Sequence, residues 1–412
     1  MDRHTHMTKH GLLDKVDIAL DVVILLVAGM MMLVAGVLLF PISRGMIPYY
    51  ENGLYGVLLF IFALQAAMLG KTPFGDRARS RGLLVVGTAT ASVGIVTCFV
   101  PGAFAHVSRI LLFVCCGPGG VALLLQMLFA EDRLRSWVRY GGIFRHLALA
   151  CGSVYVLSIL VGALVWRHSS LATQAAAIVV LLCGLSVICL AATLHKIYRR
   201  YPQATGPCDG DSDLAPDKVM ILMTGFFMLI LGVLLVPVSL GMLPFSPSAQ
   251  LGLLVIILAI QMIAFGSTPI GAFPRSRLLV LFGSVFAALG IISCIVPGVL
   301  VPCLTLIVAI LNILGGIIGV KKACAPLLKK SERPGEPVPR ILVSLCRTQL
   351  TMNLLSILFG ASMLVSGLIP GFVIGVILAA NGCLLLFLLR ILITLERIQR
   401  DWGTAASGSA MR

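Results

Sequence analysis

Runs of about 20 apolar residues recur from one end of this chain to the other, near residues 20–40, 54–70, 82–104, 108–130, 144–166, 171–194, 218–240, 249–266, 278–298, 301–320, 350–369 and 371–395. A helix needs roughly that length to cross the hydrocarbon core of a bilayer, where each segment has to satisfy its own backbone polar groups. Strands of a membrane barrel would be shorter and would alternate strictly, and these runs do neither. The chain therefore reads as an all-α polytopic membrane protein of twelve transmembrane helices. A mean hydropathy of +1.06 and only 11% charged residues set aside a soluble globular domain.

The formal charge of +15 would suit a polyanionic partner, but the basic residues sort by loop. Of 31 Lys and Arg, only Arg44, Arg109 and Arg167 lie after odd-numbered helices; the other 28 lie in the termini, in loops after even-numbered helices or at adjoining helix ends. That is the positive-inside pattern. It predicts a multi-pass protein of the cell inner membrane with both termini cytoplasmic, drawn to anionic lipid head groups rather than to nucleic acid. The first apolar run is too long for a secretory signal and lacks a cleavage pattern, so it stays as helix one. The twelve Cys contain no C-x-x-C pair and sit mostly in apolar runs, where thiols act as small hydrophobes. No metal or cofactor site is expected.

Sliding the chain by 196 residues superimposes its halves. "PISRGMIP" at Pro41 meets "PVSLGMLP" at Pro237, "GKTPFG" at Gly70 meets "GSTPIG" at Gly266, and "CFVPG" at Cys98 meets "CIVPG" at Cys294. With a shift of 198, "LSILVGA" at Leu157 meets "LSILFGA" at Leu355. Six helices is an even number, so both repeats cross in the same sense, related by a pseudo-two-fold axis along the membrane normal. The division follows: a tail at 1–19, a first six-helix repeat at 20–198, a linker at 199–216, a second repeat at 217–398 and a tail at 399–412.

Within each repeat, Gly29/Gly36, Gly87/Gly94, Gly225/Gly232, Gly283/Gly290 and Gly360/Gly367 share a seven-residue spacing on odd-numbered helices, each pair preceding a proline-containing outer turn. Small residues on one face let helix backbones approach. The unit reads as a helical hairpin, three per half. This G-x6-G-then-proline pattern in three hairpins resembles the HdeD-like family of bacterial membrane proteins associated with acid resistance, here as two fused copies. That resemblance implies an inner-membrane protein and transfers no catalytic residue. Twelve helices in two parallel halves also resemble the major facilitator transporters, whose loop between helices two and three carries Asp-Arg before basic residues. Here that loop reads "FGDRARSRG".

The 16 Asp and Glu all fall in termini, loops or helix ends. Asp21 and Asp217 open helices one and seven, where an acid suits the helix dipole. Arg390 lies inside the last helix and is expected to snorkel. The neutral polar residues inside spans include Gln65, Gln261 and Asn312. "CCGPGG" in helix four, with Gly117, Pro118, Gly119 and Gly120, predicts an interrupted helix. Its counterpart in helix ten ends in Gly315 and Gly316. Interrupted segments at matching positions of two repeats are the sequence pointer to a transport site, so these nine residues form the candidate substrate site. His4, His10, His106, His168 and the "DGDSD" stretch at Asp209 read as tail, surface and linker. No nucleophile-base pair, paired carboxylate or phosphate loop assembles, so an enzyme is not expected. Two functions remain: a non-enzymatic membrane protein of acid or envelope stress, or a transporter of a small neutral or amphipathic solute.

Overall fold

The computed structural model describes residues 18–129, 142–167, 171–201, 214–324, 343–365 and 369–398, with helix backbone alone at 325–330, 340–342 and 399–410. His4, His10, His168, Gly367 and the stretch at Asp209 lie outside the described residues. The first half holds α1 (Leu20–Ser43), α2 (Glu51–Leu64, continued by a wider turn over Gln65–Leu69), α3 (Arg81–Phe99), α4 (Ala105–Phe129), α5 (Ile143–Arg167) and α6 (Gln174–Arg200). The second holds α7 (Pro216–Ser239), α8 (Pro247–Phe265), α9 (Arg277–Ile295), α10 (Val301–Lys330), α11 (Arg340–Leu364) and α12 (Gly371–Ala410). The protein is an all-α polytopic membrane protein. Among the described residues, eleven helices are long and apolar enough to cross a membrane. In the twelfth, α11, the described part from 343 on carries Arg347, Gln349 and Asn353.

The repeated phrases are terminators of these helices. In "PISRGMIP" the Gly45 N–H donates to the Ile42 carbonyl at 2.9 Å and the Met46 N–H to the Pro41 carbonyl at 3.0 Å, with Gly45 at φ 70°. This is a Schellman cap, which needs a left-handed residue and therefore selects glycine. Gly241 and Met242 repeat it on Val238 and Pro237. At the other end, "GKTPFG" and "GSTPIG" fold into two small hairpins, β1–β2 (Lys71–Thr72 with Gly75–Asp76) and β3–β4 (Ser267–Thr268 with Gly271–Ala272). In each, the threonine hydroxyl donates across the turn, Thr72 to the Gly75 carbonyl and Thr268 to the Gly271 carbonyl, both at 2.7 Å.

Glycine spacing decides the helix pairing, and the pairing is offset from the sequence expectation. A Cβ on Gly36 would stand 2.6 Å from the Leu181 backbone of α6, and one on Gly94 would stand 2.7 Å from the Gly56 carbonyl of α2. Gly162 of α5 likewise abuts Gly117 of α4. Each half thus contains three tight antiparallel pairs, α2/α3, α4/α5 and α1/α6 in the first, and α8/α9, α10/α11 and α7/α12 in the second. Helices joined by a proline turn at the start of each half, α1 with α2 and α3 with α4, touch only lightly. The small face of each odd helix meets the even helix before it, and the first and last helices close the ring.

The halves meet through α1, α2 and α3 of the first and α7, α8 and α9 of the second, with α2 and α8 mostly buried. Two faces follow: a basic face where α1 begins and α12 ends, and a turn face with the proline turns. At the turn face the Tyr50 N–H donates to the Ile295 carbonyl and the Ser246 N–H to the Phe99 carbonyl, each at 2.9 Å. At the basic face Arg79 donates to the Leu214 carbonyl and Arg275 to the Ile18 carbonyl. Both are pairs of repeat mates. Between them Phe99 packs edge-on against Phe227, ring centroids 5.7 Å apart.

Candidate functional site

The residues singled out from sequence do not converge. α4 runs unbroken through Pro118, a correction to the expected interruption. Proline removes one backbone donor, but α5 supports the segment from outside: the Ser158 hydroxyl donates to the Cys116 carbonyl at 3.2 Å. The glycines are contact surfaces. Gly117 faces Gly162, while Gly119 seats Pro73 of the first small hairpin and Gly120 seats Ile159. In α10, Gly315 seats Pro269 and Gly316 seats Ile357. One contact thus explains both the doubled glycines and the "TPxG" loops.

The amides serve separate helix pairs. Gln261 Nε2 donates to Thr224 Oγ1 at 3.0 Å, joining α8 to α7. Asn312 donates to the Val308 carbonyl within α10 and accepts from Ser356 of α11 at 2.9 Å. Gln65 opens the wide turn after α2, and Ala28 stands where its repeat mate finds Thr224. Asp21 accepts from the Val22 N–H, as a first-turn acid should, and also from Lys71 and from the Tyr198 hydroxyl at 2.5 Å.

Polar groups do converge at the turn face. Cys98 and Cys294, repeat mates, come together where the halves meet, both thiols directed at the Ala249 carbonyl. The Cys98 thiol lies 3.9 Å from the carbonyls of Gly53 and Ala249, and the Cys294 thiol lies 3.6 Å from Ala249. All eleven described cysteines are free thiols. Tyr50 packs beside the pair, and its hydroxyl is buried with no hydrogen-bond partner among the described residues. Outside it opens a hollow of about 570 Å³ floored by Phe245, Ser246 and Ser248 and walled by prolines 101, 247 and 297. Burial holds the Tyr49 and Tyr50 phenols above their ordinary pKa, so both stay neutral.

Beside this seam sits Glu51. Among the described residues it is the single acid on the turn face. Its Oε1 accepts from the Tyr55 hydroxyl at 2.6 Å and from the Leu171 N–H at 3.2 Å. Arg109 Nε donates to the Val165 carbonyl at 2.8 Å. Together Glu51 and Arg109 fasten both ends of the α5–α6 passage to α2 and α4. The second half carries Pro247, Leu251 and Thr305 at the equivalent places. Sequence reading passed over Glu51, although the loop sorting used for the basic residues, applied to acids, singles it out. Among the described residues no three His, Cys, Asp or Glu side chains gather as a metal site. No protein-family model, curated protein or solved structure matches this chain.

Proposed function

We propose that this integral membrane protein is a non-enzymatic, non-transporting component of envelope acid tolerance, with the basic face cytoplasmic in a bacterial inner membrane and the turn face meeting the acid. The supporting observation is the pair of two-fold ties at both faces. Alternating access requires the halves to part at one face while closed at the other. Here Tyr50 and Ser246 join them at the turn face, Arg79 and Arg275 at the basic face, and Phe99 packs across the seam against Phe227. In this reading Glu51 is the link on which the turn face depends, its carboxylate holding the Tyr55 hydroxyl and the Leu171 N–H. The transporter reading needs a path that these ties oppose.

The test is survival at low pH of a strain lacking the protein, complemented with wild type and with Glu51→Gln. Reduced survival, restored by wild type and only partly by Glu51→Gln, supports the proposal. A deletion strain that survives acid as its parent does removes the stress role. Solute accumulation in proteoliposomes would revive the transporter.

A further inference from the structure

The second half carries a cationic groove whose inner arginine has no counterpart in the first half. Arg390 lies in the apolar sequence "LLLFLLRIL" of α12 and Arg397 follows two turns later, about 10 Å along the axis on the same face. Both side chains are exposed and line one groove of about 620 Å³ against α7, with Leu222, Phe226, Leu386 and Ile393. Among the described residues neither guanidinium has a carboxylate or carbonyl partner. Glu396, the acid nearest in sequence, is turned to Lys218, and the Thr394 hydroxyl between the arginines donates to the Arg390 carbonyl at 2.9 Å. The repeat mate of Arg390 is Ala192.

An ionisable side chain inside a membrane span is costly and needs a partner. Snorkelling offers one escape, but side chains on a helix lean toward its N-terminus. In α12 that lean points away from the basic face and toward the membrane middle. A ligand that brings negative charge inward answers both problems. The neighbouring chemistry narrows it: two forks of guanidinium donors suit phosphate oxygens, and the apolar wall of Leu222, Phe226 and Leu386 suits a hydrocarbon chain. We propose that the α7–α12 groove seats one anionic phospholipid, its phosphate between Arg390 and Arg397 and an acyl chain along α7. This does not rest on the acid-tolerance role.

The test is native mass spectrometry of the full chain released from detergent with phosphatidylglycerol or phosphatidylcholine. Wild type is expected to retain one phosphatidylglycerol, and Arg390→Gln/Arg397→Gln to retain at least fivefold less. Lys321→Gln/Lys322→Gln, on the same face, should retain it as wild type does. Equal retention by the arginine variant, or equal retention of phosphatidylcholine by wild type, overturns the proposal. Displacement of the lipid by millimolar inorganic phosphate would instead assign a free-phosphate site. Should the double variant not fold, spin-labelled lipids with wild type decide. A larger motionally restricted fraction for phosphatidylglycerol than for phosphatidylcholine, lost at high salt, supports the seat, and equal fractions overturn it.

Discussion

The two halves keep the same glycine contacts and differ in the polar links that close each ring. Gly29 meets Ile188 and Gly225 meets the mate Leu386; Gly184 meets Leu33 and Gly382 meets the mate Leu229. Where first and last helices close each ring at the basic face, the chemistry diverges. Asp21 accepts from Lys71 and Tyr198 in the first half, whereas Lys218 pairs with Glu396 in the second. Ser267 and Glu396 occupy the mates of Lys71 and Tyr198. Backbone approach admits no side chain and so holds its residues fixed. A polar link is free to change, provided each buried group is met.

The largest test of that comparison sets the two ring closures against each other. Lys218 is only 4% exposed at its side chain, whereas Lys71 is 41% exposed. Glu396→Gln therefore leaves a buried charge unpaired and is expected to cost about 3 kcal/mol. Asp21→Asn leaves Lys71 to solvent, and its loss of about 1 kcal/mol comes chiefly from the Tyr198 bond. Denaturant midpoints in detergent measure both. Lys218→Met combined with Glu396→Leu should recover most of the larger loss, since an apolar pair removes the charge and its partner together. Equal losses at the two sites would break the comparison.

The glycines supply the next test, in the opposite sense. Gly36→Ala would push a Cβ to 2.6 Å from the Leu181 backbone, and Gly232→Ala would drive one into the Ala379 backbone at least as closely. Overpacking of this kind costs about 2 kcal/mol, and the two losses should match, because the contacts are repeat mates. A half that tolerated alanine would show that its pair of helices is held by something other than close approach.

Much of this fold is legible in the chain, for identifiable reasons. The duplication is legible because the capping glycines and prolines of one half have to recur in the other for the same turns to form. The pairing of helices is not. A seven-residue glycine spacing shows which face of a helix is small, not which neighbour that face meets, and so it suggests a hairpin of α1 with α2 although the glycines of α1 face α6. The candidate site is less legible still. Pro118 warns of a broken helix, but its neighbourhood is stabilised by Ser158, 40 residues away in sequence. Cys98 and Cys294 are recognisable as mates, yet their meeting depends on how two halves pack.

The smallest expected effect isolates one polar link. Gln65 and Gln261 are repeat mates, and only Gln261 has a threonine to meet. Interhelical hydrogen bonds in membranes are worth about 0.6 kcal/mol on average, because an unfolded segment in lipid also finds partners. Gln261→Leu should lose about that much, and Gln65→Leu should leave the unfolding midpoint where it is. The comparison sharpens if the missing partner is supplied. Ala28→Thr places in the first half the hydroxyl that Thr224 offers in the second, and a gain in stability that disappears in the Gln65→Leu background would show that the halves differ there by one side chain. A gain that persists without Gln65 would trace instead to the introduced hydroxyl bonding its own helix backbone, as Thr224 does to the Met220 carbonyl at 2.8 Å.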